Sequence, residues 1–312
     1  MKSIKNVSLI GLGAIGGSYA AKLHDVASIS LTVVADRGRI GKYSDNKLKV
    51  NGRPYDFRFV QPEEDGAYAD LVFIAVKYHN LSQAIEEIRK LVGPDTIIIS
   101  LMNGIDSEEI IGGVFGMEKL LYASCVGIDA VRSGNDIRYT SFGKLYFGER
   151  QNRSYSRRVE RVMELLEEAG IPWFIPEDMQ KGMWWKYMVN IGVNQASAVL
   201  GAPYGVFRSV TEARELLEAA MREVIAVSEK VGTGLAEKDI AEVHELLGTL
   251  SAEGKTSMLQ DMEAGRKTEV EMLSGVLRQL GRKYGVPTPV NDTLFYMIRT
   301  LEQMKKNGNV TH

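Results

Sequence analysis

Two textures divide this chain. In its first half, short unbroken apolar runs alternate with stretches of helical spacing. Residues 7–10 are apolar and run into glycines, residues 18–24 continue as a helix, and residues 31–35 form a second β-rich run. Residues 71–76 (LVFIAV) and 96–100 (TIIIS) are further apolar runs, and between them residues 81–91 carry Leu and Ile at helical spacing. Apolar strands separated by helices predict a parallel sheet covered on both faces. Runs at 120–127 and 144–148 are expected to extend that sheet. Residues 157–169 predict an amphipathic helix, followed by Gly170 and Pro172.

After about residue 176 the strand-like runs stop. Residues 183–200, 211–231, 237–250 and 270–284 all have helical period. A last helix follows Pro287 and Pro289, with Asn291 or Asp292 as its expected cap. The polar tail 305–312 is expected to fray. The pattern therefore predicts an α/β fold class with two domains. Residues 1–176 form a parallel-sheet domain, and residues 177–312 an all-helical one. The cleft between two such domains is a common place for a substrate.

The first strand leads into Gly11, Leu12, Gly13, Ala14, Ile15 and Gly16, a G-x-G-x-x-G run that opens a helix. In that context the run is a dinucleotide-binding fingerprint of the Rossmann type. Gly11 permits the tight turn, Gly13 lets a pyrophosphate approach the backbone, and Gly16 lets helix and strand pack closely. The helix N-terminus adds unpaired N–H groups and partial positive charge. The bland alternative is a glycine-rich turn with no ligand.

Asp36 ends the second strand, where a carboxylate bonds the adenosine ribose hydroxyls and selects NAD. Arg37, Arg39 and Lys42 follow, and guanidinium groups there suit a 2′-phosphate, unless the trio is simply a solvated loop. The two sets of residues point to different cofactors. Lys77 directly follows LVFIAV, and Asn103-Gly104 follows TIIIS, so both are expected at the carboxyl edge of the sheet where ligands bind.

In the helical half, Lys186, Asn190 and Asn194 fall within a sector of about 80° on a helix of about 100° per residue, and Ser197 joins them. The other faces carry Tyr187, Met188, Ile191 and Ala196. A helix this apolar is largely buried. Aligned polar groups on it are costly unless they are paired or face a wet cavity. The alternative is a lysine that snorkels to the surface. Desolvation lowers an ammonium pKa toward neutrality, which suits a proton donor. Glu269 is a candidate carboxylate to orient it.

Composition narrows the classes. The chain has 312 residues, 45% hydrophobic and 25% charged, with 38 Lys+Arg against 40 Asp+Glu. A net charge of -2 gives no sequence-wide preference for nucleic acid or an anionic membrane. With Cys125 as the single cysteine, an intrachain disulfide is impossible, and His24, His79, His244 and His312 show no ligand spacing, so no metal is expected. The N-terminal apolar run breaks after four residues, too short for a signal peptide or span, and a cytoplasmic protein is expected. A monomer or a homodimer fits the helices equally well.

Taken together, the residues resemble the ketopantoate reductase (2-dehydropantoate 2-reductase) family through almost the whole chain. The resemblance is carried by GLGAIGG, Lys77 after LVFIAV, Asn103-Gly104, and W-x-K-x-x-x-N-x-x-x-N at Trp184, Lys186, Asn190 and Asn194. It continues through Ser257-Met258-Leu259-Gln260-Asp261, Thr268-Glu269, and P-x-P-x-N at Pro287, Pro289 and Asn291. It implies NADPH-dependent reduction of the 2-keto acid ketopantoate to pantoate, a step toward pantothenate and coenzyme A. It also implies Lys186 as general acid, and Glu269 as a residue that binds substrate and supports Lys186. Asn190, Asn194 and Ser257 would hold the substrate, Asn103 would lie between nicotinamide and substrate, and Lys77 near the cofactor ribose or phosphate. Members using NADPH commonly have a basic residue where Asp36 stands, with Arg37 next to it. That departure leaves NADH open as the donor. A reductase of another branched 2-keto acid and a non-catalytic NADP-binding regulator are the competing readings.

Ser257 and Glu269 are separated by roughly 18 Å along an unbroken helix. Both can serve one small substrate only if the chain bends, and a break is expected at residues 264–266, around Gly265.

Overall fold

A computed structural model describes residues 3–306 of the chain. The end of the tail expected to fray, residues 307–312, lies outside the described residues. The chain forms two compact units, Met1–Gln180 and Lys181–His312.

The first unit runs β1 (Asn6–Ile10), α1 (Ala14–His24), β2 (Ser30–Val34), α2 (Arg37–Asp45), β3 (Lys49–Val50), β4 (Arg53–Pro54), β5 (Arg58–Val60), β6 (Leu71–Ile74), α3 (Leu81–Glu87), β7 (Ile97–Ser100), α4 (Ser107–Phe115), β8 (Leu120–Val126), β9 (Val131–Ser133), β10 (Asp136–Arg138), β11 (Lys144–Gly148), α5 (Arg157–Glu168) and β12 (Trp173–Phe174). Its main sheet has the order β5-β2-β1-β6-β7-β8-β11-β12. The strands from β5 to β8 are all parallel.

The unbroken apolar runs have a direct cause. Alternate residues of β6 feed two different cores: Leu71 and Phe73 join Leu9, Tyr19, Leu23 and the α5 residues Val159 and Leu166. Val72 and Ile74 join Ile10, Ile85, Ile88 and Ile111 on the other face. A strand buried on both faces tolerates no polar position.

Two features depart from the predicted parallel sheet. Residues 144–148 do extend it, but β11 runs antiparallel to β8. The connection between them carries the short hairpin β9–β10 and no crossover helix, so the chain returns antiparallel. A second sheet, β4-β3-β10-β9, has no counterpart in the hydrophobic pattern. Its strands are two or three residues long, too short to show a period. It packs on α1 where a Cβ on Gly17 would fall 2.3 Å from Ile137 Cδ1.

The second unit continues from α6 (Met179–Val189) through a π turn (Asn190–Asn194), α7 (Gln195–Leu200), α8 (Val206–Ser209), α9 (Thr211–Val231), α10 (Lys238–Thr249), α11 (Ser257–Glu263), a second π turn (Glu271–Gly275), α12 (Val276–Tyr284) and α13 (Pro289–Lys306). The long helix α9 buries Leu217, Ala220, Met221, Val224 and Val227. The helix expected at 183–200 is thus interrupted by a π turn, and the one expected at 270–284 begins with one. At the first, Gly192 lies so close to α9 that a Cβ there would fall 2.4 Å from Met221 Cε.

The expected cap of the last helix is different. Asn291 is fully buried, and Asp292 pairs with Arg278. The free N–H groups of Val290 and Asn291 are instead accepted by the Glu223 carboxylate of α9, at 2.7 and 2.9 Å. The break expected near Gly265 is present. Helix α11 ends at Glu263, Gly265 takes φ +65, and Arg266 N–H returns to the Asp261 carbonyl at 2.8 Å.

Among the described residues no helix is long and apolar enough to cross a membrane. No group of three or more His, Cys, Asp or Glu among them could hold a metal ion.

Candidate functional site

In the first unit the strand register aligns the predicted cofactor residues. Ile10 pairs with Val34 and with Ile74, and Ile74 pairs with Ser100. The segments carrying Gly11–Gly16, Asp36, Lys77 and Asn103 therefore leave the sheet at one edge, the carboxyl edge. Gly11 has φ +98, and a Cβ there would sit 2.4 Å from the Ala75 carbonyl. A Cβ on Gly16 would sit 1.9 Å from the Gly11 carbonyl. Gly13 is different: its Cβ would meet only the Ala75 oxygen, at 4.0 Å. So Gly11 and Gly16 are fixed by protein backbone, whereas Gly13 is exposed and its α-carbon faces open space. Gly13 also starts α1 with no side chain on the first N–H groups. That is the cradle an anionic diphosphate needs.

Asp36 is exposed and serves as N-cap of α2. Its Oδ1 accepts from the Arg39 N–H at 2.8 Å, and its Oδ2 lies 3.3 Å from Arg39 Nε. Arg37 and Lys42 are exposed nearby on the same helix, and Lys77 is exposed beyond β6. The Lys77 and Asn103 segments are tied together, because the Tyr78 hydroxyl donates to Asp106 Oδ2 at 2.7 Å. Behind Asn103, the Ser100 and Ser107 hydroxyls lie 2.9 Å apart, and Ser107 donates to the buried Glu108 carboxylate at 2.9 Å. Burial pushes the Glu108 carboxyl up to about 7.

Arg132 of the small sheet was not singled out from the sequence. Its guanidinium donates to the Leu12 carbonyl inside the glycine loop, and to the Tyr43 hydroxyl of α2 at 3.2 Å. It braces the two segments predicted to hold pyrophosphate and ribose. The contact joins residues 120 apart, and nothing local in the sequence signals it.

In the second unit Lys186 and Asn190 are half-buried, one helical turn apart. Asn194 is also half-buried, and its Nδ2 donates to Asn190 Oδ1 at 3.3 Å. Ser197 does not share their role. It is fully buried, and its hydroxyl donates to the Ala202 carbonyl at 2.6 Å. The π turn inserts a residue between Lys186 and Ser197 and so shifts the phase of the helix. Ser257 is exposed at the start of α11, beside Thr256, whose hydroxyl donates to Ser197 Oγ at 3.2 Å.

Glu269 is half-buried and immediately precedes the turn into the second π segment. Its neighbour Thr268 is buried, and both the N–H and the hydroxyl of Thr268 donate to Glu302 Oε1 at 2.7 Å. Glu302, on α13, thereby anchors the strip that carries Glu269, another role that sequence spacing does not reveal.

Comparison with known proteins agrees across both units. The model of the family described as ketopantoate reductase PanE/ApbA matches residues 7–152, and that of its C-terminal part matches residues 178–302. A 2-dehydropantoate 2-reductase of Aquifex aeolicus is 28% identical over 309 residues, spanning 94% of this chain and 96% of that protein. The crystal structure of 2-dehydropantoate 2-reductase from Geobacter metallireducens has a TM-score of 0.82 at 25% identity, covering 95% and 99% of the two chains. A D-mandelate dehydrogenase solved with NADH and anilino(oxo)acetate shares the fold, with a TM-score of 0.86 at 20% identity over 96% and 99%.

Proposed function

The chain belongs to the ketopantoate reductase family, and from that premise we propose that it reduces 2-dehydropantoate to pantoate with NADPH, Lys186 acting as general acid. The observation that carries this reading is the polar run of Lys186, Asn190 and Asn194 on an otherwise apolar helical segment, with the two amides in contact. A dinucleotide-binding regulator has no use for a proton donor flanked by two amides.

Bound at the glycine loop, NADPH supplies the hydride. The chain's own residues do the rest. The N–H groups at the start of α1 and the open face of Gly13 receive the diphosphate. The Asp36 carboxylate caps its own helix and pairs with Arg39. Arg37 and Lys42, exposed on the same helix, are cations suited to a 2′-phosphate, which favours NADPH. Lys77 and Asn103, joined through Tyr78 and Asp106, border the same edge.

As the keto carbon is reduced, negative charge develops on its oxygen. The Lys186 ammonium stabilises that charge and donates its proton to the oxygen. Asn190, Asn194 and Ser257 hold the hydroxyl and carboxylate ends of the keto acid, and Glu269 orients the ammonium. One well-placed donor is worth about 3 kcal/mol at such a transition state.

Turnover by the purified chain tests the reading, with ketopantoate and other branched 2-keto acids offered with NADPH and with NADH. The reading expects ketopantoate and NADPH to give the highest kcat/KM. Faster turnover of a different keto acid would reassign the substrate. Tight NADPH binding with no oxidation by any 2-keto acid would instead make the chain a regulator.

A further inference from the structure

Three side chains at the centre of the helical unit are fully buried and polar: Gln195, Ser274 and Asn291. They hydrogen-bond to one another and to the surrounding helices. Gln195 Nε2 donates to the Ile191 carbonyl at 2.8 Å and to Asn291 Oδ1 at 3.1 Å. The Ser274 hydroxyl donates to Gln195 Oε1 and also lies 3.2 Å from Asn291 Oδ1, so its one proton is shared between the two amide oxygens. Asn291 Nδ2 donates to the Ala220 carbonyl at 3.2 Å and to Glu223 Oε2 at 2.7 Å. Each amide thus has both N–H groups and its oxygen engaged.

The bonds fall on the two π turns. Gln195 follows the turn Asn190–Asn194, and its backbone N–H goes to Gly192 rather than to Ile191. The Ile191 carbonyl is thereby deprived of its ordinary helical donor, and the Gln195 side chain takes that place. Ser274 lies inside the other turn, Glu271–Gly275. One side-chain bond therefore joins the turn that carries Asn190 and Asn194 to the turn that Glu269 leads into.

A leucine or methionine would fill this space without polar atoms. A buried polar pair gains little net stability over an apolar one, but it accepts only one arrangement. We propose that Gln195 is a positioning residue for the reduction proposed above: its bond to Ser274 locks the two π turns together, fixing Asn190 and Asn194 relative to Glu269.

The test uses the full chain and three variants, Ser274→Ala, Gln195→Met and the double substitution. Because the two groups share the bond between the turns, each single change is expected to lower kcat about 10-fold, and the double change to fall well short of the about 100-fold expected of independent effects. NADPH affinity is expected to stay within about twofold, and the pH profile of kcat to move, since the surroundings of Lys186 change. Hydrogen exchange at residues 190–194 and at 271–275 should rise together in either single variant. Singles that keep kcat within about twofold while only melting earlier would overturn the proposal. So would exchange that rises only in the segment substituted. If the wild type reduces no 2-keto acid, the functional reading fails separately, and the exchange data alone decide whether the lock exists. Should Gln195→Met not fold, Ser274→Ala, which removes a single oxygen, decides the matter.

Discussion

The Tyr187 hydroxyl donates to the Leu273 carbonyl at 2.7 Å. Tyr187 is the residue after Lys186, and Leu273 lies in the π turn that follows Glu269. The bond therefore ties the helix bearing the proposed proton donor to the segment bearing its proposed carboxylate. Tyr187 is buried, with its ring edge-on to Trp184. Tyr187→Phe keeps the ring and removes the bond. We expect a loss of about 1 kcal/mol of stability, read by denaturant unfolding, with kcat falling and NADPH affinity unchanged. Equal stability in the two proteins would show that the bond contributes nothing.

The glycine loop separates packing from binding. Gly16→Ala forces a Cβ to within 1.9 Å of the Gly11 carbonyl. Overpacking of this kind costs about 1–3 kcal/mol, so the melting temperature should drop by several degrees, roughly 2–4 °C for each kcal/mol. Gly13→Ala has only the Ala75 oxygen in reach, at 4.0 Å. It should melt close to wild type yet bind NADPH at least about 10-fold more weakly, because the new methyl occupies the approach of the diphosphate. Calorimetric melting and cofactor titration of both variants check the contrast.

Asp36 caps α2 and is proposed to face the adenosine ribose, and one substitution can part the two. Asp36→Ser keeps a side-chain oxygen to cap α2 and removes the charge, whereas Asp36→Ala loses the cap as well, at about 1 kcal/mol. With the carboxylate gone, a 2′-phosphate is no longer repelled, and Arg39 is released from its pairing. The ratio of kcat/KM for NADPH over NADH should rise in Asp36→Ser, with little change in melting temperature. An unchanged ratio would assign the carboxylate no part in discriminating the two cofactors, and a falling one would reverse the sign argued here.

Glu108 predicts a pH dependence of stability. Burial lifts its folded carboxyl to about 7 from an ordinary 4.5, against the pull of its backbone and Ser107 hydrogen bonds. The folded state therefore holds a proton that the unfolded state has lost. Its favourable contribution is complete below pH 4.5, declines as pH rises, and is gone above about 7. Glu108→Gln stays neutral throughout. It should flatten that decline and raise stability relative to wild type at pH 8 more than at pH 5, measured by unfolding at the two values.

Much of the fold is legible in the residues because its causes are local. β6 is apolar at every position since both faces are covered, and Gly265 ends a helix by taking a positive φ. Hydrophobic period locates such elements. What escapes it is set by contacts distant in sequence. Arg132 reaches Leu12, Glu302 anchors Thr268, and Glu223 caps α13 in place of Asn291 or Asp292. The π turns escape for another reason. One inserted residue changes the helical phase while leaving the pattern of Met, Val and Ile almost intact. Ser197 consequently follows Lys186, Asn190 and Asn194 in the sequence stripe but is buried against the Ala202 carbonyl in the structure.

Whether Lys186 donates the proton is decided by Lys186→Ala, in single-turnover reduction of ketopantoate alongside NADPH titration. Hydride transfer should slow by at least about 100-fold with NADPH affinity retained. Near-normal turnover in that variant would contradict this role and remove Lys186 from the chemistry.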